Sequence, residues 1–374
     1  MKSRKNILIC PLEWGLGHAS RMIPVADELI SRGHNVIFAA GEELLKFAES
    51  ELPGCKKVKF PGFRPQYSGI LPQYISVLLH LPVLIYEIVR EHRRLEEIIH
   101  EHSVDIVISD NRFGLWNKKV RTAYITHQLR IPFPGIFRFL EPAGVLLHRY
   151  IIRKYDFCLI PDLPGDNNLS GRLSHRTKLP GNERYIGILS RFSGISIYDN
   201  PETAAHRIVA LLSGPEPQRS ILEKKLSAVI NETNRCGIIL RGLPGKEASV
   251  FRSGNIDYYN HLPVEEFKNI VLSASAIICR SGYSTIMDLS ALGRSALLIP
   301  TPGQTEQEYL AESLSQKGLF SCISQKKLDK DLPFESVRNY NSCEILNLSR
   351  QLLRSALDEL SDEPHKQAQS SKTS

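Results

Sequence analysis

Short apolar runs alternate with amphipathic stretches along most of this chain, the pattern of βαβ units built into parallel sheets. In the first half, Asn6–Cys10, Asn35–Ala40, Val104–Ser109, Ala123–Thr126 and Phe157–Ile160 read as strands. Helical periodicity covers Ser20–Ser31, closed by Arg32-Gly33-His34 as a C-cap signal, and a longer stretch from about Pro72 to His102. Leu163–Ser174, rich in Gly, Asn and Asp, reads as a loop. Ser190–Pro201 is polar and lacks a helical period, so a domain junction is expected there. A second alternation follows, with strands Ile208–Leu212, Gly237–Leu240, Ala276–Cys279 and Ala296–Ile299. Its helices are Gln218–Asn234, Val264–Ala274, Ser284–Leu292 and Glu344–Leu360. The expected division is an N-terminal α/β domain over 1–195, a C-terminal one over 205–361 and a disordered polar tail over 362–374.

Composition narrows the class. A chain of 374 residues exceeds one ordinary core and fits two domains, and 42% hydrophobic with 23% charged residues is a folded globular balance. Lys plus Arg outnumber Asp plus Glu by 47 to 40, a net charge of +7 that favours anionic partners. No nucleic-acid module is recognisable, so phosphorylated small molecules and acidic lipid surfaces remain. The seven cysteines are scattered without a Cys-x-x-Cys pair, and Cys10, Cys158 and Cys279 fall in strand patterns. That spacing argues against a disulfide framework and against zinc, and for a reducing cytoplasm. Ile7–Cys10 is too short for a signal peptide, and Tyr74–Val89 is broken by His80, Pro82 and Glu87. The expected location is the cytoplasm, with the cytoplasmic face of a membrane as a variant of it.

Candidate chemistry is sought where apolar runs end, because ligands of doubly wound sheets bind at the carboxyl ends of strands. After the first strand comes Trp14-Gly15-Leu16-Gly17-His18-Ala19-Ser20, half of a dinucleotide fingerprint. No acid ends the second strand, since Glu42 lies past Gly41, which disfavours a nicotinamide cofactor. His18 stands in the glycine turn, where an imidazole can take a proton at neutral pH; a helix-capping histidine is the alternative. Asp110 ends another strand and could orient that base, or cap a helix at Asn111–Leu115. In the second half, Ser213-Gly214 with Arg219 and Arg280-Ser281-Gly282 with Thr285 each open a helix after a strand. Two such turns on neighbouring strands suit both phosphates of a diphosphate, and Asp288 suits ribose hydroxyls. Thr301–Glu308, with Gln304 and Gln307, suits sugar hydroxyls or starts a capped surface helix. Asp329-Lys330-Asp331 reads as a surface charge run, so no metal site is expected.

The segments Tyr258–Pro263, Cys279–Leu289 and Pro300–Tyr309 resemble the C-terminal domain of family 28 glycosyltransferases, the group of the N-acetylglucosaminyltransferase that makes lipid II. Trp14–His18 with Pro24, and Arg32–Val36, are similar to the N-terminal domain of that group. The resemblance implies an α/β GT-B fold of two Rossmann-like domains facing across a cleft, and inverting, metal-independent transfer from a UDP-sugar. It implies His18 and Asp110 as catalytic residues, with Gly17 in the turn beside the sugar. His261 and Leu262 would meet uracil, and Ser213, Gly214 and Arg219 the diphosphate. Arg280, Ser281, Gly282 and Thr285 would line the phosphate turn, Asp288 would hold ribose, and Gln304 and Gln307 the sugar. The family usually carries Glu where this chain has Asp288, which shortens the ribose contact by a methylene. Asp110–Phe113 and Ile131–Tyr155 match poorly, so the acceptor is expected to differ.

The first expectation is therefore a glycosyltransferase acting on an unknown, lipid-linked or other acceptor, with no cofactor. A UDP-sugar hydrolase or epimerase, and a non-catalytic nucleotide-binding membrane partner, are the alternatives. Ile131–Leu140 and Val145–Lys154 mix aromatic, apolar and cationic residues, as interfacial segments do; burial in the domain core is the competing reading.

Overall fold

The computed structural model describes residues 4–63, 81–133, 135–175, 180–193, 207–233, 235–243, 250–329 and 342–362. Within them the chain forms two compact units. One runs to Leu189 and resumes at Ile345; the other runs from Ser190 to Glu344. The remainder of the expected junction, the start of the long helical stretch near Pro72, Lys330-Asp331 and the tail from 363 lie outside the described residues.

The first unit is built on strands β1 (Asn6–Cys10), β2 (Asn35–Ala40), β3 (Lys56–Lys59), β4 (Ile106–Asp110), β5 (Arg121–Ile125), β6 (Phe157–Ile160) and β7 (Glu183–Tyr185). They are parallel and ordered β3-β2-β1-β4-β5-β6-β7. Its helices include α1 (Leu16–Ser31), α2 (Glu42–Glu51), α3 (Leu81–Glu101) and α4 (Glu141–Ile152). Every residue of β4, β5 and β6 is buried, which is why the central strands read as unbroken apolar runs. Helix α1 buries Ala19, Met22, Ile23, Ala26 and Leu29, the one-face spacing of an amphipathic helix. The edge strands β3 and β7 are not visible in the sequence pattern. Lys56-Lys57-Val58-Lys59 and Glu183-Arg184-Tyr185 contain no apolar run, and nothing buries them on both faces.

The second unit repeats the plan with β8 (Arg207–Leu211), β9 (Cys236–Leu240), β10 (Val250–Ser253), β11 (Ile256–Tyr259), β12 (Ala276–Cys279), β13 (Leu297–Leu298) and β14 (Ser321–Cys322). The order is β10-β11-β9-β8-β12-β13-β14, parallel except for the β10–β11 hairpin. Helices α5 (Gln218–Glu232), α6 (Val264–Ser273), α7 (Tyr283–Ala291) and α8 (Thr305–Gln316) alternate with these strands. In both sheets the strand order reverses beside the first strand, between β1 and β4 and between β8 and β12. Burial raises the Cys10 and Cys279 thiols to about 12, so these strand cysteines act as small apolar residues.

The terminal helix α9 (Cys343–Asp362) departs from the sequence expectation, which places it in the 205–361 domain. From Ile345 onward it packs on the first unit instead. Arg121 Nη1 donates to the Glu359 carbonyl at 3.1 Å, Arg184 pairs with Glu359 at 2.8 Å and Arg32 with Asp358 at 3.2 Å. The Ile188 amide donates to Ser349 Oγ at 3.0 Å. Glycine at 187 permits this approach. Its φ is +71°, and a Cβ there would lie 2.2 Å from the Ser349 Cα.

Candidate active site

In the first unit, β1 and β4 are neighbours, and their carboxyl ends flank the point where the strand order reverses. Such a point is where open α/β sheets bind ligands. Gly15, with φ at +139°, ends the turn after β1 and caps α1, which puts Gly17 and His18 in the first helical turn. Asp110 is the last residue of β4 and is fully buried. His18 Nδ1 lies 2.9 Å from Asp110 Oδ2, and the His18 side chain is 19% exposed. No helix begins between Asp110 and β5, so the carboxylate meets His18 and caps no helix.

Arg21, one helical turn after His18, completes the cluster. Its Nε donates to Asp110 Oδ2 at 3.0 Å and its Nη2 also donates to Asp110 Oδ1. The same Nη2 is 2.8 Å from His18 Nδ1, and Nη1 is 3.3 Å from His127 Nδ1. Burial lowers the pKa of His18 below its ordinary 6.5; Arg21 adds to that and Asp110 opposes it. For Asp110, burial acts to raise the pKa, but Arg21 and His18 together outweigh it and hold the carboxyl below its usual range. The imidazole is thus neutral and the carboxylate ionised at neutral pH.

In the second unit, β8 and β12 pair in register, Leu211 opposite Cys279, so the turns that follow them lie side by side. Gly214, at φ +98°, shapes the turn into α5, and Gly282 caps α7, whose first turn holds Ser284 and Thr285. Both helices point their N-terminal amides, and the positive ends of their dipoles, at the carboxyl edge of the sheet. Asp288 is buried on α7, where Oδ1 accepts from Ser190 Oγ at 2.7 Å and Oδ2 lies 3.4 Å from Arg191 Nε. Burial raises its pKa, with Arg191 and Ser190 only partly offsetting it. His261 is also near Arg191; burial first and that cation second lower its pKa. Leu262 is buried beside it in the chain.

The glycosyltransferase family 28 C-terminal domain model matches residues 245–374. The chain is 25% identical to an uncharacterized glycosyltransferase of Methanosarcina acetivorans over 83% of each protein. It is 26% identical, over 79% of each, to the UDP-N-acetylglucosamine–N-acetylmuramyl-(pentapeptide) pyrophosphoryl-undecaprenol N-acetylglucosamine transferase of Neisseria meningitidis serogroup B. Among solved structures, the glycotransferase of kitacinnamycin superposes with a TM-score of 0.61 over 96% of this chain and 100% of that one; at 14% identity it shows the fold alone. The chain is a GT-B glycosyltransferase with a family 28 C-terminal domain.

Within this glycosyltransferase the predicted residues sort into those that face the sheet edge and those that brace it. Ser213, Gly214, Gly282 and Thr285 sit in the two helix-opening turns. Arg280 is a correction: it is fully buried, and its guanidinium donates to the carbonyls of Ile299 and Pro300 at 3.2 Å and Gln218 at 2.9 Å. It ties the turns together from behind instead of reaching a phosphate. Arg219, in the first turn of α5, is paired with Glu216 at 2.9 Å and Glu223 at 2.8 Å. Ser281 Oγ donates to the Gln307 carbonyl at 2.8 Å, and Gln307 Oε1 accepts from the Thr301 amide at 2.9 Å. These two therefore shape the polar turn before α8. Gln304, at the N-terminus of α8, has a buried Oε1 with no partner among the described residues.

Sequence reading missed Arg21, His127, Ser190 and Arg191. The signal for Arg21 was present: a cation three residues after His18, directly before the apolar run Met22-Ile23-Pro24-Val25. Ser190-Arg191 fell in the stretch read only as a junction. Among the described residues no group of three His, Cys, Asp or Glu is placed to hold a metal ion, and no helix is long and apolar enough to cross a membrane. The described side chains of Ile131–Lys154 divide between core and surface: His148 and Ile152 are buried, and others are exposed. Phe139 is 74% exposed, with Leu146, Leu147 and Tyr150 each near 60%, and Arg138 is exposed among them.

Proposed function

We propose that the protein moves a hexose or N-acetylhexosamine from a UDP-sugar to an acceptor hydroxyl, inverting the anomeric carbon without a metal. The His18–Asp110 pair at the reversal of the first sheet carries this reading. Nε2 of His18 takes the acceptor proton while Asp110 holds Nδ1, and the freed oxygen attacks the anomeric carbon as the bond to UDP breaks. The helix-opening turns after β8 and β12 supply amides and positive helix ends where the departing diphosphate gains charge. Asp288 takes ribose hydroxyls, and His261 with Leu262 the uracil edge. Gln304, with its unpartnered oxygen, takes a sugar hydroxyl.

Calorimetric titration without added metal tests the donor half. UDP should bind, and Asp288→Ala should weaken it about 10- to 100-fold, the loss of one charge-assisted hydrogen bond at roughly 1.5–3 kcal/mol. A panel of UDP-sugars then ranks donors. No binding of any nucleoside diphosphate would overturn the reading.

For the acceptor, the same proposal assigns a lipid-linked alcohol and a peripheral membrane contact. The exposed aromatic and aliphatic side chains of Phe137–Tyr150, flanked by Arg138 and Lys154, combine apolar bulk with cations as interfacial segments do. The Neisseria relative, by its name, acts on a pyrophosphoryl-undecaprenol. Liposome flotation should show binding that rises with the fraction of anionic lipid and drops when Phe139 and Leu147 become serine. Flotation indifferent to anionic lipid would exclude the membrane contact.

A further inference from the structure

A buried histidine beside a carboxylate does not by itself make a base. With no other charge nearby, the pair gains most by taking up a proton and becoming an imidazolium–carboxylate ion pair. Nε2 then already holds a proton and can accept none. What prevents this is the count of fixed charges around the ring. The groups facing His18 are Asp110 from β4, Arg21 from its own helix, and His127 after β5; Tyr124 on β5 also lies within electrostatic range of Asp110 and Arg21. Of these only Asp110 and Arg21 carry permanent charge, one of each sign, and both are almost wholly buried.

We infer that Arg21 is a positioning residue that keeps His18 a neutral base, because its guanidinium already neutralises the Asp110 carboxylate and leaves no buried negative charge for a second ring proton to match. The inference rests on the reading of His18 as the base. Geometry supports it in two ways. The guanidinium engages both carboxylate oxygens, from Nε at 3.0 Å and from Nη2, so Asp110 cannot rotate away. Nη2 also stands 2.8 Å from His18 Nδ1, so the positive charge that a second ring proton brings would face a cation as well as the carboxylate. The neutral ring has a single N–H. When that proton sits on Nδ1 and is donated to Asp110, the lone pair lies on Nε2, on the far side of the ring. Arg21 is thus argued to act through Asp110 and His18, without touching substrate. Its placement follows from sequence: residues three apart share a helix face, so a cation at His18 plus three is delivered to the same buried edge.

The test is a histidine NMR titration of the full chain, with selectively labelled imidazoles and His18 assigned by its loss in His18→Gln. In the parent, His18 should stay neutral to a lower pH than a free histidine. Arg21→Gln should raise the midpoint, because Asp110 is then unopposed, whereas Arg21→Lys, which keeps the charge, should restore most of the parental value. A purely structural role for Arg21 predicts that both variants move alike, and that result, or an unmoved midpoint in Arg21→Gln, overturns the inference. Should Arg21→Gln fail to fold, Arg21→Met, which keeps the length and apolar stem but not the charge, decides the same point: its midpoint must rise above the parent's, and an unmoved midpoint would overturn the inference. The titration needs neither donor nor acceptor. A His18→Ala protein that retains turnover would refute the catalytic reading, while the titration would still report on Arg21 alone.

Discussion

A His18→Ala protein should release UDP from its sugar donor about 10²–10⁴-fold more slowly than the parent, the usual worth of a positioned general base. Its affinity for UDP should be unchanged, because the turns assigned to the donor belong to the second unit. The assay is UDP release from the donor identified by calorimetry, with a membrane lipid extract supplying acceptors. The pH profile carries a second expectation with a fixed sign. The base works only when neutral, and burial, reinforced by Arg21, lowers its pKa below 6.5 against the pull of Asp110. The acid limb of kcat/KM should therefore lie below the ordinary histidine midpoint, with no loss of rate on the alkaline side of that limb. Asp110→Asn should also slow turnover, since the amide can no longer accept the Nδ1 proton as a charged partner. Parental turnover in His18→Ala would remove the catalytic assignment and leave the donor site standing.

Much of this was legible because both sheets are mostly parallel and their central strands are buried. A strand covered on both faces must be apolar throughout, so β1, β2, β6 and β12 stand out in the sequence with boundaries that match the structure. Turns follow such strands directly, which is why the places of His18, Asp110, Ser213 and Gly282 at the carboxyl edges of the sheets could be read from position alone. Three things were hidden for physical reasons. Edge strands such as Lys56–Lys59 form because a neighbour offers hydrogen bonds, and their side chains carry no pattern. The return of α9 to the first unit depends on long-range pairs such as Arg121 with the Glu359 carbonyl, 238 residues apart in the chain. The partners of Arg280 and Arg219 were hidden too, because a cation near a glycine turn has two uses: Arg280 donates to backbone carbonyls, and Arg219 pairs with Glu216 and Glu223.

The largest effect on stability should appear in acid and should trace to His148, which the catalytic reading does not use. The ring is 4% exposed on α4, in edge-on contact with Phe113 and Tyr124 at centroid distances of 5.8 and 5.7 Å. Its Nε2 lies 3.1 Å from the Tyr124 hydroxyl, and burial pushes its pKa from 6.5 down to about 4. The folded value is depressed, so the unfolded chain binds this proton first as pH falls. Stability is complete above pH 6.5 and declines from there toward pH 4. At about 1.4 kcal/mol per pH unit, the decline amounts to roughly 3 kcal/mol by pH 4, a large share of a domain's stability. His148→Gln removes the titration and should cost about 1 kcal/mol at pH 7 through the altered Tyr124 contact. Urea unfolding of both proteins at pH 7 and pH 4.5 should thus show the variant weaker at neutral pH and the gap closing or reversing in acid. Asp110, whose pKa is held low, loses its contribution only at still lower pH, and His18 titrates alike in both proteins. Neither can produce that convergence. Parallel decline of the two proteins would mean that His148 is not held neutral by its burial, and that acid acts on this unit through other groups.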